Sequence, residues 1–253
     1  MQPWLDWFQA EYEDVRILKQ TAASRIGLCR HRKTGMELVR LDLENTNEEV
    51  YRRLLPLEHP CLPRIYEVRA DGDRLIVLEE FVDGVTLAQR MKQGAVSGKE
   101  ARRYMLGLCD ALEILHDACI VYRDIKPSNI LITNDGTITL IDFHISRIRS
   151  GFQERDTQVA GTVGYAPPEQ FGLSATEPRA DIYALGVLFN QMLSGGAPLR
   201  PDVPGIPRPH CSKMYAHGCG IPVSFRCLPE ESLAALARLP SQIKISDRLP
   251  SSA

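Results

Sequence analysis

The sequence predicts an α+β fold in which strands come first and helices follow. Val15–Arg40 alternates in the manner of two or three strands with a turn at Thr34-Gly35, and Arg74–Phe81 is a run of the buried-strand type. Ile130–Ile132 and Thr137–Ile141 are β-rich runs either side of Asn134-Asp135-Gly136, a strong hairpin signal. Lys99–Ala118 is an amphipathic helix, with Ala101, Tyr104, Met105, Leu108, Leu112 and Leu115 recurring at three- and four-residue steps.

The chain has 253 residues, enough for one large domain or two lobes. Its 30 Lys and Arg stand against 32 Asp and Glu, a net charge of −2, so nothing in the balance points to nucleic acid or to a membrane surface. No apolar run has transmembrane length, and the start, M-Q-P-W-L-D-W-F, lacks the basic region of a secretory signal. The 7 cysteines contain no C-x-x-C pair or other metal spacing, which reads as reduced, mostly buried thiols in a cytoplasmic protein.

Taken in order, residues 1–14 are acidic and aromatic, and Trp4, Trp7 and Phe8 can form one face of a short helix packed on the body. Asn47–Leu57 has helical spacing, with Val50, Leu54 and Leu57 on one side. His116 reads as a helix-end or core histidine rather than a ligand. Beyond Gly196 the character changes: prolines 198, 201, 204, 207 and 209 forbid a helix. Pro229–Leu239 has a helix start and an apolar face again, and 241–253 reads as a disordered tail.

The chemistry concentrates in Val121–Phe143, V-Y-R-D-I-K-P-S-N-I-L-I-T-N-D-G-T-I-T-L-I-D-F. The loop before the hairpin carries Asp124, Lys126 and Asn129, and the second strand ends on Asp142. A hairpin brings those ends together. Two carboxylates, an amide and an ammonium then suit phosphoryl transfer: a carboxylate for a hydroxyl proton, Asn and Asp for Mg²⁺, and Lys for the moving charge. Taken alone, the same tetrad also fits a hairpin with solvated charges.

R-D-x-K-x-x-N followed by D-F resembles the catalytic loop and metal-binding motif of protein kinases. Downstream, G-T-V-G-Y-A-P-P-E-Q and R-A-D-I-Y-A-L-G-V are similar to stretches of the bacterial serine/threonine kinases, and the resemblance covers roughly 15–195. It implies a two-lobed fold with ATP and Mg²⁺ and a protein substrate bearing Ser or Thr. The small β-rich lobe would span 15–81, the hinge 80–84 and the larger, mainly helical lobe 85–240, after an N-terminal extension over 1–14. Glu80 and Val82 would bond adenine through their backbone.

Residue by residue, the resemblance gives Asp124 the substrate hydroxyl, Lys126 the phosphoryl oxygens, and Asn129 and Asp142 the Mg²⁺. The glycine-rich phosphate loop is changed: Lys19, Thr21 and Ser24 fall where its three glycines would sit, and Ile26 follows as the apolar cover. Arg40 falls where the family has its strand lysine, and Val50 or Glu49 where it has the helix glutamate. Glu79, at the gatekeeper position before the hinge, is then expected to pair with Arg40. His144 replaces the glycine after D-F and should restrict that turn, because φ > 0 is costly for histidine. Arg123 would receive a phosphorylated activation segment, with Thr157 the first candidate acceptor and Thr162 a second. Thr162 would also link the peptide-docking loop to Asp124 and Lys126, Asp181 would hold the catalytic-loop backbone, and Glu169 would make a buried ion pair. A non-catalytic pseudokinase scaffold and a small-molecule phosphotransferase of the same fold remain as alternatives.

Gly196–Arg226 reads as a frame-slipped segment. Codons for G-G-A-P-L read from the second base permit S-G-E-H-P-S. The same shift permits I-V-R-K-C-T at His210–Tyr215, with the cysteine forced by Met214-Tyr215, and D-A-x-S-R-Y at Gly218–Ser224. These resemble stretches of bacterial kinases, and the last restores the arginine that pairs with Glu169. A buried pair broken in this way costs about 3–5 kcal/mol. Resequencing codons 190–230 should reveal two compensating indels; a confirmed reading whose shifted frame holds a stop or spells no kinase-like residues overturns this.

Overall fold

The computed structural model describes residues 3–44, 47–149, 162, 164–167 and 177–196. Thr157, Glu169, the 229–239 helix, the tail and all but the first residue of the frame-slipped stretch lie outside them.

The first lobe is a five-stranded antiparallel sheet in the order β1-β2-β3-β5-β4, built from β1 (Tyr12–Gln20), β2 (Ser24–His31), β3 (Glu37–Glu44), β4 (Ile65–Asp71) and β5 (Arg74–Glu80). Alternation gives the sheet two apolar faces. On one, Leu41, Leu43, Leu75 and Val77 join the main core with Val50, Tyr51 and Leu54 of α2 (Glu48–Leu54). On the other, Cys29, Leu38 and Leu78 enclose Phe8 of α1 (Pro3–Glu11). The predicted N-terminal helix therefore exists, but the first strand begins at Tyr12 rather than Val15, because Tyr12 stacks on Phe8 with ring centroids 5.2 Å apart. The predicted helix 47–57 stops at Leu54, three residues short, with Asn47 as its N-cap.

The second lobe hangs on α4 (Gly98–Asp117), whose predicted apolar positions are all buried, and α5 (Arg179–Ser194). A short three-stranded sheet, β6-β8-β9, lies beside them: β6 (Gly84–Thr86), β8 (Ile130–Thr133) and β9 (Ile138–Leu140). A pair of two-residue strands, β7 (Ile120–Val121) and β10 (Arg147–Ile148), completes the set. Gly84 is required where β6 crosses β8, since a Cβ there would sit 2.5 Å from the Ile132 carbonyl oxygen. The hairpin closes as the sequence predicts: Gly136 takes φ 81° and Asp135 accepts hydrogen bonds from Thr133 and Thr137. Strands β4, β6, β7 and β10 and one helix were not anticipated. Helix α3 (Leu87–Met91) starts at Thr86, which forms a capping box with Gln89.

Phe8 is 1 % exposed and Trp7 37 % exposed on the same short helix. Phe8→Ala should cost about 3–5 kcal/mol and Trp7→Ala about 1 kcal/mol or less, measured by urea unfolding. Equal losses would mean that α1 is not seated as described.

Candidate active site

The site is built on one buried carboxylate. Asp181, fully buried in the first turn of α5, accepts the backbone N–H of Tyr122 at 2.9 Å and of Arg123 at 2.7 Å, and is hydrogen-bonded to His116 Nε2 at 2.9 Å. The loop after β7 is thereby pinned while Arg123 holds φ 72°, a left-handed conformation costly for a residue that carries a Cβ. Tyr122 packs edge-to-face on Phe143 at 5.2 Å and donates its hydroxyl hydrogen to the Ile141 carbonyl. The Ile141 amide in turn donates to the Asn129 carbonyl at 2.9 Å. These bonds set the end of β9 beside the loop, so Asn129 and Asp142 leave neighbouring strands side by side.

Asp124, Lys126, Asn129 and Thr162 form one network. The buried Asp124 carboxylate accepts Lys126 Nζ at 2.6 Å and Asn129 Nδ2 at 2.8 Å on one oxygen, and Thr162 Oγ1 at 2.7 Å on the other. Lys126 Nζ also reaches Thr162 Oγ1 at 3.1 Å. Asn129 donates a second time, to the Asp124 carbonyl at 3.1 Å, which fixes its amide nitrogen inward and leaves its carbonyl oxygen as the acceptor end. One carboxylate and one amide oxygen are a hard donor set of the kind Mg²⁺ takes, with substrate phosphates and water filling the remaining positions.

The Asp142 carboxylate is held from two sides by side chains of this chain. One oxygen is bonded to His144 Nδ1, and the other lies 3.5 Å from Lys19 Nζ on β1. Burial pushes the Asp142 carboxyl up, but the His144 bond and charge, with Lys19 and Lys126, outweigh it and hold the group below the usual aspartate value. The left-handed residue of this turn is Asp142 itself, at φ 71°. His144 does not carry the positive φ expected of it, so that constraint falls two residues earlier.

A family model described as a protein kinase domain matches residues 19–212. The chain belongs to the protein kinase family. It is 34 % identical over 199 residues to the serine/threonine-protein kinase PrkC of Bacillus subtilis, covering 74 % of this chain and 31 % of that protein. It is also 30 % identical over 212 residues to the serine/threonine-protein kinase PknB of Mycobacterium tuberculosis, covering 76 % of this chain and 34 % of that protein. The chain thus spans about a third of the length of these relatives. Among the described residues, no helix is long and apolar enough to cross a membrane.

Several expectations for this kinase domain are corrected by the sheet register. Arg40 pairs with Leu78 and Val39 with Glu79, so Arg40 and Glu79 point to opposite faces and make no pair. Arg40 instead lies over the Phe8 ring at 4.6 Å, with Asp14 at 3.7 Å and Asp42 at 3.6 Å, away from Asp142. The helix glutamates also face outward: Glu48 pairs with Arg52 and Glu49 with Arg53, one turn on. Val50, Tyr51 and Leu54 are the residues that α2 turns inward. The Thr21–Ser24 turn is closed by its own groups, with the Thr21 amide donating to the Ser24 carbonyl at 2.8 Å and the Ser24 amide to Thr21 Oγ1 at 3.0 Å. Ile26 packs on the main core. At the hinge, the Glu80 amide donates to the Arg64 carbonyl at 2.8 Å, so of the Glu80 backbone only the carbonyl could meet adenine.

Glu79 is left buried at the back of the cleft, and neither its Oε2 nor the buried Tyr51 hydroxyl has a hydrogen-bond partner among the described residues. Burial, reinforced by Asp142 and Glu80, pushes the Glu79 carboxyl up from 4.5 to about 8. The folded protein then keeps a proton that the unfolded chain has lost, so stability falls as pH rises from about 4.5 to about 8, by at most about 1.4 kcal/mol per pH unit. Glu79→Gln, which cannot ionise, should gain on the parent by about 2 kcal/mol or more between pH 5.5 and pH 8 in chemical denaturation. Parallel pH profiles would show that Glu79 titrates normally.

Proposed function

We propose that the chain transfers the γ-phosphoryl group of ATP to serine or threonine hydroxyls of proteins, itself included. The observation that carries this reading is the Asp124 network: a buried carboxylate, oriented by Asn129 and Thr162, with the Lys126 ammonium 2.6 Å away. Asp124 orients the acceptor hydroxyl and takes its proton as the O–P bond forms. Lys126 offsets the charge that develops on the transferring oxygens. Thr162 ties the segment that would receive a peptide to both groups, so that a docked hydroxyl and the base arrive together. Asn129 and Asp142 would hold Mg²⁺, which would offset the negative charge of the phosphates. Adenine rests against the Glu80 carbonyl and the Val82 backbone. Arg123, buried next to Asp124, is the receiver for a phosphate on Thr157, which would add about −1.5 to −2 charge and order the segment.

Incubation with Mg²⁺ and ATP followed by phosphosite mapping tests this. Phosphate should appear on Ser or Thr, first near Thr157, and Asp124→Asn should reduce its rate by about 10²-fold or more. Asp142→Asn should abolish turnover and remove the Mg²⁺ dependence of nucleotide binding. Phosphate on tyrosine alone, or ATP stabilisation of the parent that is the same with and without Mg²⁺, contradicts the reading.

A further inference from the structure

We propose that Lys19, on the first strand, is the cation that holds the nucleotide phosphates in this chain, in the place Arg40 was expected to fill. The inference rests on the reading of the site as one that binds Mg²⁺ and ATP.

The register places Lys19 there. Across the ladder, Lys19 pairs with Ile26, Ile26 with Leu41 and Leu41 with Val77. Residues directly opposite one another share a face, and Leu41 and Val77 belong to the main core with Leu140 and Phe143. Lys19 therefore emerges on the face turned toward the D-F turn. The next row, Ile17–Gly27–Arg40–Leu78, faces the opposite way, where Leu78 encloses Phe8. The central-strand member of the cleft-facing row is an apolar leucine, and its charge is supplied from the edge strand instead.

A break in the ladder between Ile17 and Lys19 sets that direction. The extra residue, Leu18, shifts the pairing by one, and such bulges re-aim the side chain that follows. The lysine head then lies 3.5 Å from Asp142 Oδ2, a carboxylate in the D-F motif that marks where Mg²⁺ and phosphate meet. The Lys19 side chain is 56 % exposed and that of Asp142 18 % exposed, so a ligand can reach the ammonium from the open side without displacing core. An exposed pair of this kind is weak, about 0–1 kcal/mol, and exchanges readily for phosphate oxygens. A compact ammonium on a long stem with three donors can bridge Asp142 and a phosphate at once.

Titration of the full chain with ATP and with adenosine, in Mg²⁺, separates the possibilities. Lys19→Met should weaken ATP by 10-fold or more and leave adenosine within twofold, because only the phosphates lose a partner. Lys19→Arg should restore much of the ATP affinity. Arg40→Met should bind ATP within twofold of the parent. The assignment is overturned if Lys19→Met binds ATP as the parent does, or if Arg40→Met shows the phosphate-specific loss. A parent chain that binds adenosine and ATP alike, or neither, overturns the ATP-site reading and this assignment with it. Unchanged adenosine affinity also shows that the variants are folded, and a Lys19→Met that loses both ligands equally counts against a phosphate role.

Discussion

The Asp181 carboxylate is the constraint on which the rest of the site depends. A fully buried charge is tolerated only when its lone pairs are met, and here two amides of one loop and an imidazole meet them. The position at the start of α5 helps, because the positive end of the helix favours an anion. What the bonds accomplish is geometric. They hold Tyr122 and Arg123 in a backbone shape that Arg123 would not adopt unaided, and that shape turns Asp124 toward Asn129 and Thr162. From Tyr122 the constraint passes to the Ile141 carbonyl, and so to Asp142, also left-handed. Two strained residues on either side of the site are thus over-determined by a packed core rather than by local preference.

The two carboxylates of the site differ in how firmly they are held. Asp124 is buried, with donors from three side chains that belong to the same lobe or the docking segment. Asp142 is held partly by a residue 123 positions earlier in the chain, on the edge of the first sheet. The first arrangement keeps a base in register with its substrate. The second joins the lobes through a single half-exposed pair, which contributes little stability and is easily remade around a ligand.

Much of this was legible in the sequence because it is written in short-range signals. The hairpin has its Asn-Asp-Gly turn, α4 its helical period, and the spacing R-D-x-K-x-x-N its chemistry; the structure brings Asp124, Lys126, Asn129 and Thr162 into one network and puts Asp181 beneath it. Arg40 was misplaced because strand direction has a period of two, so a shift of one residue in alignment exchanges the faces. Leu38-Val39-Arg40-Leu41 offers no local sign of which alternate residues point inward. The unbroken pairing of β3 with β2 and β5 decides it, while two irregularities in β1, between Asp14 and Arg16 and between Ile17 and Lys19, decide where Lys19 points; alternation alone reveals neither. Lys19 was visible as a departure from a glycine pattern but not as a charge aimed at Asp142. Helix α3 could have been found from Thr86 and Gln89, a capping pair three residues apart. The match to the kinase family ends at residue 212, inside the stretch whose codons permit a kinase-like reading in another frame.

The back of the cleft gives the last step. Val39, Leu41 and Tyr51 are apolar or neutral, and Glu79 among them keeps its proton near neutral pH. An ionised Glu79 would add a second negative charge within reach of Asp142, whose field already helps to raise it. Polyphosphate arriving beside Asp142 would feel both. Keeping Glu79 neutral removes that repulsion without requiring a buried cation to cancel it, and an isolated cation there would itself be costly. A site so arranged cannot balance phosphate charge from behind. Its positive charge lies at the front, on Lys19 and Lys126 and on any metal held by Asp142, where water can still solvate it before a nucleotide binds.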